Sequence, residues 1–276
     1  MSRSNPTADG QSNPATRFFE WSGSTGKIKY YSKEDKQSYE VDLPFSFLVL
    51  EQLNTITGFS KKDQSGYWSN EVKNLTTDTL IVKTKAGVKA EGVYKSQAIT
   101  NILAAGGKYT KSVYIAYMND GNELVLGHLK LAGSAISAWI EFSNQYPGQK
   151  MYQIAVVITE ATAAKNGKTD YFIPVFEARQ VTPETDAKAK DIDRELQQYL
   201  AQYFNKPAPS KPVADVEIED LTGDDEEEAL DGNVPESDGP ETPAPAAPAA
   251  APAAPAKPAK TVDTGNGKID IKDVPF

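Results

Sequence analysis

The chain has no cysteine and only one histidine, His128, among its 276 residues. Without cysteine it has no disulfide framework, no thiol nucleophile and no cysteine-ligated zinc or iron–sulfur site. A single histidine removes most histidine-based metal sites and catalytic triads. His128 alternates with apolar neighbours and has no second histidine with which to share a metal, so we expect a structural or solvent-facing residue rather than a ligand. We therefore predict no enzymatic activity, no catalytic residue, no metal and no cofactor.

Long apolar runs are missing as well. No stretch of about 18 apolar residues could form a transmembrane helix, and residues 1–16 lack the hydrophobic run of a signal peptide. These features predict a soluble, cytoplasmic protein without membrane contact. The segments Gly23–Lys27 and Gly106–Lys108 are glycine- and lysine-containing, but neither has the spacing of a nucleotide-binding Walker A loop.

Charge divides the chain into two parts. Residues 1–206 carry 24 Lys and Arg against 22 Asp and Glu, whereas residues 207–276 carry 5 against 16, a net charge of −11. The second part also contains a Pro/Ala tract, which has nothing to bury and stays extended. We predict a disordered leader over 1–16, one folded domain over 17–206, and a disordered acidic Pro/Ala-rich tail over 207–276.

Short β-type runs separated by turn residues dominate from Arg17 to about Gln180 and predict a mainly antiparallel β domain. Asn119–Asn122 and Asn166-Gly167 have the turn residues of hairpins. Pro174 cannot donate to a strand ladder, which predicts that its strand lies at a sheet edge or at a bulge. The run Phe45–Leu53 fits a buried strand and a short helix equally well.

Three segments have helical spacing of apolar residues. These are 96–105, 134–143 and a longer one at about 183–205, where Thr182 is placed to cap the helix and Pro183 suits its first turn. We predict that the last helix packs on the flank of the β domain, and an oligomer or partner surface is the alternative for its apolar stripe.

Aromatic residues recur beside lysines in the first half of the folded part. Residues 17–118 carry 14 basic and 10 acidic side chains. Rings on a sheet can stack unpaired bases while ammonium groups neutralise phosphates, which is how sequence-tolerant single-strand binding works. The plainer alternative is that these are half-buried cross-strand tyrosines and solvated lysines. The residues predicted to bind single-stranded DNA are Lys29, Tyr31, Lys61, Lys62, Tyr67, Trp68, Lys85, Tyr94, Lys95 and Tyr109.

The acidic tail ends in Asp273-Val274-Pro275-Phe276. This ending resembles the C-terminal tip of single-stranded DNA-binding proteins of bacteria and phages, and the phage-encoded type is the most similar class. The resemblance implies an OB-fold, here an elaborated OB-fold-like antiparallel barrel, that coats single-stranded DNA during replication, recombination or repair. It also implies that Asp273, Val274, Pro275 and Phe276 recruit replication, recombination and repair proteins.

Two other functions stay open at this point. One is a β-rich structural or scaffold protein of a virion, whose acidic tail would control assembly. The other is a nucleic-acid mimic, which the lysine-rich first half disfavours because a mimic needs an acidic folded surface. The sequence leaves the oligomeric state open, a homo-oligomer included.

Overall fold

The computed structural model describes residues 13–205. The acidic tail, its four-residue tip and most of the leader lie outside the described residues. No helix within 13–205 is long and apolar enough to cross a lipid bilayer. The strands are β1 Arg17–Ser22, β2 Lys27–Ser32, β3 Gln37–Val41, β4 Phe45–Ser60, β5 Ser65–Ser69, β6 Leu80–Thr84, β7 Gly87–Gly92, β8 Gly107–Met118, β9 Leu124–Ala132, β10 Ile154–Asn166 and β11 Thr169–Gln180. The helices are α1 Gln97–Ala104, α2 Ser134–Asn144, a 3-10 turn at Gly148–Gln153, and α3 Pro183–Asn205.

All eleven strands belong to one sheet, which confirms the predominantly β prediction. Its main order is β3-β2-β1-β9-β8-β4-β5-β6-β7, and β10 joins β4 on one side and β11 on the other. The expectation of a closed antiparallel barrel is wrong in two respects: β1 and β9 are parallel, and the sheet does not close. The physical reason lies in β4, which pairs with β10 near its start and with β5 near its end. One edge of β4 therefore serves two different strands, and the sheet branches there.

The ambiguous run Phe45–Leu53 is the first part of β4, a strand of 16 residues. Its part 47–50 is continuously apolar because both faces of the strand are buried there. Phe47 belongs to the core that α2 covers, and Leu48 to the core that α3 covers. The pairing register between β4 and β8 shifts between Val49 and Glu51, as at a β-bulge.

The three helices each cover a separate part of the sheet. α2 packs Trp139 and Phe142 into the largest core, together with β1, β2, β4, β8, β9 and β10. α3 packs Leu196 and Leu200 on the opposite face of β4, β8 and β9. α1 covers the third core, formed by the end of β4 with β5, β6 and β7. The flanking position predicted for the last helix is thus confirmed.

Several local predictions are confirmed. Residues 119–122 join β8 to β9, with Asn122 at a φ of 60°, and Gly167 between β10 and β11 has a φ of 59°. Pro174 lies in β11, which among the described residues pairs only with β10 and is therefore an edge strand of the sheet. The hydroxyl of Thr182 accepts a hydrogen bond from the backbone N–H of Thr185 at 3.3 Å and so caps α3.

The last four residues of the predicted leader differ from expectation. Asn13 donates from Nδ2 to the Tyr114 hydroxyl at 2.9 Å, and the backbone N–H of Thr16 donates to the carbonyl of Leu126 at 2.9 Å. Ala15 is buried in the core under α3. Asn13, Ala15 and Thr16, which precede Arg17, therefore already contact the domain.

Candidate nucleic-acid interface

Positive charge is concentrated in residues 54–111, which we call the basic wing. This segment runs from the second half of β4 through β5, β6, β7 and α1 into β8. It holds nine lysines and four carboxylates, a net charge of +5, while the other described residues hold 13 basic and 17 acidic side chains, a net charge of −4. Three of the four wing carboxylates are already engaged. Asp63 binds Lys89 at 2.8 Å, Glu71 is held in a buried network, and Asp78 accepts hydrogen bonds from the backbone N–H groups of Lys73 and Asn74. The surface of the wing is therefore dominated by lysine.

Trp68, in β5 of the basic wing, differs from the other two tryptophans of the chain. Trp21 and Trp139 are buried, and their indole N–H groups donate to the Phe172 carbonyl and to Gln52 Oε1. Trp68 is half-exposed, belongs to none of the three cores, and among the described residues has neither a hydrogen-bond partner for its indole nor another aromatic ring against it. A tryptophan normally packs its ring and satisfies its N–H when it serves the core. Trp68 therefore lies outside the apolar cores and has no polar or aromatic partner among the described residues.

The strand register places lysines on both sides of Trp68. Thr57 of β4 lies opposite Trp68 on one side, Lys83 of β6 lies opposite it on the other, and Lys108 of β8 lies opposite Thr57. Residues directly opposite one another point to the same face of a sheet. One row across four strands thus contains, in order, Lys108, Thr57, Trp68 and Lys83. At about 4.8 Å per strand, the row spans about 14 Å.

Phe59 is a second aromatic residue on this face. It lies two positions from Thr57 along β4, and two positions apart on a strand means the same side. Phe59 is 44% exposed and lies one residue before the end of β4. We call the surface made by Lys108, Thr57, Trp68, Lys83 and Phe59 the Trp68 face.

This arrangement can hold a single nucleic-acid strand. Trp68 and Phe59 offer ring faces to unpaired bases, and stacking of this kind tolerates any base. Lys83 has no carboxylate within salt-bridge distance among the described residues, so its charge is available to a phosphate. The hydroxyls of Thr57 and Thr110 are 2.6 Å apart and satisfy one another beside the row.

Three of the predicted lysines lie at the tip of the basic wing. Lys61 and Lys62 are exposed in the β4–β5 turn, and Lys85 is exposed in the β6–β7 turn. Asp63 ties the two turns together, because it accepts hydrogen bonds from Thr84 at 3.2 Å and from Lys89. The bond from Lys89 lowers the pKa of Asp63 below its usual value. The tip therefore extends the positive surface beyond the Trp68 face.

Three predicted aromatic residues do not belong to this face. Tyr67 is only 8% exposed and packs in the core under α1, so its ring does not lie on the Trp68 face. Tyr94 and Tyr109 also lie on the α1 side, edge-to-face at 5.2 Å, and the Tyr109 hydroxyl donates to Asn54 Oδ1 at 2.7 Å. Neighbouring residues of a strand alternate between faces, so Tyr67 and Trp68 point in opposite directions.

The remaining predicted residues are separated from Trp68. Lys95 is exposed directly before the N-cap of α1, on the side of Tyr94. Lys29 and Tyr31 are in β2, five strands away from β5, which is about 24 Å along the sheet. Lys29 also stands directly between Glu20 of β1 and Glu40 of β3, which offset its charge. The structure therefore does not bring these three residues together with Trp68.

The single histidine takes part in a buried hydrogen-bond network. His128 Nε2 lies 2.5 Å from Ser112 Oγ and 3.2 Å from Glu71 Oε1, and Glu71 also accepts hydrogen bonds from Ser112 and Tyr114. In a serine–histidine–acid triad the carboxylate binds Nδ1, but Nδ1 of His128 is buried and has no hydrogen-bond partner among residues 13–205. The network instead fixes residues 70–72 beside α3, where the Tyr203 hydroxyl accepts from the Glu71 N–H at 2.7 Å.

Sequence reasoning missed Phe59 and left Lys83 and Lys108 out of the predicted site. Phe59 was hidden because the strand nature of β4 beyond Leu53 was not predicted. The alternation Thr55, Thr57, Phe59 is the signal that could have revealed it. Comparison of the chain with models of protein families, with curated proteins and with solved structures finds no match.

Proposed function

We propose that this protein binds single-stranded DNA through the Trp68 face, coating it during replication, recombination or repair. The observation that carries the proposal is Trp68 itself, which belongs to none of the three cores and has no hydrogen-bond or aromatic partner among the described residues. Lys83 lies directly opposite Trp68, and Thr57 lies between Trp68 and Lys108 in the same row. The net charge of +5 on the surrounding wing supports it, because phosphate neutralisation supplies most of the affinity in such complexes.

A single strand fits this surface better than a duplex. Stacking on Trp68 and Phe59 requires the flat side of a base, which base pairing and stacking bury inside a duplex. A duplex reader places a helix or β-ribbon in a groove, whereas the Trp68 face lies on the broad side of a sheet across β8, β4, β5 and β6. The face therefore favours unpaired bases with phosphates beside them.

The acidic tail supplies the second half of the proposal, resting on sequence alone. Residues 207–276 carry a net charge of −11 and contain the Asp273-Val274-Pro275-Phe276 motif. An apolar ring beside a restricted proline suits a small pocket on a partner, and the acidic surroundings steer it toward basic proteins. The protein thus acts as a non-enzymatic coat that recruits replication, recombination or repair proteins.

Binding of the full-length protein to oligo-dT tests the Trp68 face, with a duplex of equal length for comparison. We expect Trp68→Ala to weaken oligo-dT binding about tenfold, because loss of one stacked base costs about 1–3 kcal/mol. Tyr31→Ala is the matched control, because it removes a half-exposed ring of β2 at the other end of the sheet. Its affinity should equal that of the unchanged protein.

Two results would contradict the proposal. Equal affinity for duplex and oligo-dT would show that unpaired bases are not recognised. A loss of binding in Tyr31→Ala but not in Trp68→Ala, with both variants folded, would place the site at the other end of the sheet.

A further inference from the structure

Gly66 of β5 is a glycine that the fold does not require. Gly58 and Gly106 are different, because each has a left-handed φ, and a Cβ on either would meet a backbone oxygen at 2.3 or 2.5 Å. At Gly66 the φ is not left-handed, and an added Cβ would meet only the Gly58 carbonyl oxygen, at the ordinary contact distance of 3.7 Å. A Cβ atom would therefore fit here, and most residues are favoured over glycine inside a β-strand.

The register places Gly66 beside both rings of the Trp68 face. Phe59 lies directly opposite Gly66, and Trp68 is two residues along the same strand on the same side. One patch therefore has four residues at its corners, Thr57, Trp68, Phe59 and Gly66. The two aromatic residues, Phe59 and Trp68, lie on one diagonal of the patch. Diagonal neighbours lie about 7–8 Å apart. The corner without a side chain leaves bare backbone next to both rings, directly opposite Phe59 and two residues from Trp68.

A glycine inside a strand often marks close approach of a ligand. We infer that Gly66 forms the floor of a slot that admits one unpaired base between Phe59 and Trp68. This inference rests on the proposed single-strand binding and makes Gly66 a residue that governs base access. A planar base in this slot covers the bare backbone and contacts both rings. The phosphates on either side of that nucleotide remain within reach of Lys83 on β6 and Lys108 on β8.

Filling the slot tests the inference. Gly66→Val and Gly66→Leu add side chains to the bare corner of the full-length protein, and Ala86→Leu is the control because it adds bulk at an exposed turn of the same wing. The probes are oligo-dT and an abasic strand of equal length, which keeps the phosphates and lacks the bases. We expect both Gly66 variants to lose about tenfold in affinity for oligo-dT while binding the abasic strand unchanged. Ala86→Leu should bind both probes as the unchanged protein does.

The outcomes separate this inference from the proposed function. If the unchanged protein fails to bind oligo-dT at low salt, the proposed function itself is wrong. If it binds, but Gly66→Leu binds oligo-dT equally well, there is no slot at Gly66 and single-strand binding stands. Equal losses on oligo-dT and on the abasic strand would also overturn the slot, because they would indicate a distorted backbone. Thermal unfolding of each variant identifies any that fails to fold, and Gly66→Ala, the smallest change, then replaces it.

Discussion

Lys83 and Lys108 stand at the two ends of the row through Trp68, and replacing both with glutamine separates phosphate binding from base stacking. For single strands the logarithm of the affinity falls with the logarithm of the salt concentration, with a slope of about −0.7 for each phosphate neutralised. If each lysine contacts one phosphate, the double variant should have a slope shallower by about 1.4. Between 50 and 200 mM salt the unchanged protein should then lose about sevenfold more affinity than the variant does.

Trp68→Ala should behave in the opposite way in this assay. Stacking releases no counterions, so its loss lowers affinity by the same factor at every salt concentration and leaves the slope unchanged. The charge-matched control is Lys165→Gln with Lys168→Gln, which removes two lysines from the region of the β10–β11 hairpin, outside the basic wing. The measurement is a fluorescence titration of the full-length protein with oligo-dT at four or more salt concentrations.

The reasoning is refuted if the control variant lowers the slope as much as the change in Lys83 and Lys108 does. In that case the net charge of the protein would govern binding, and the position of the two lysines would have no special role. An unchanged slope in the double variant would equally remove them from the interface.

Two further predictions follow from the charges of the chain. Burial lowers the pKa of His128, and a proton added to its Nδ1 would have no hydrogen-bond acceptor among the described residues. Below about pH 6.5 the unfolded chain therefore binds a second proton on this imidazole, whereas the folded chain does not. Folding stability should therefore fall by up to about 1.4 kcal/mol per pH unit as the pH drops from 6.5 toward 5, and denaturant unfolding should show a flatter pH dependence in His128→Gln. Removing residues 207–276 deletes a net charge of −11. If those residues compete with DNA for the basic wing, the truncated protein should bind oligo-dT more tightly at low salt and equally at high salt, and equal affinities at low salt would exclude the competition.

Elements with strong local signals could be predicted from the sequence. The hairpin at Asn119–Asn122, the edge strand marked by Pro174 and the cap at Thr182 depend on residues within a few positions of one another. The barrel expectation failed because closure depends on which distant strands meet. Nothing local in Phe45–Ser60 shows that its one edge serves both β10 and β5.

The candidate site shows the same division at the level of single residues. Composition identified the residue types, lysine beside aromatic, and Tyr67 and Trp68 are adjacent in sequence and satisfy that rule equally. Because side chains alternate along β5, the Tyr67 ring points into the core under α1 and the Trp68 ring points to the other face of the sheet. The burial of the paired residues on β4 and β6 determines which of the two rings is buried. Trp68 gains its lysines from strands 15 and 40 residues away, at Lys83 and Lys108, and not from Lys61 and Lys62 nearby in sequence. Which residues form a surface across four strands depends on the pairing register of those strands. The sequence could therefore indicate the residue types of the site, but not which residues belong to it.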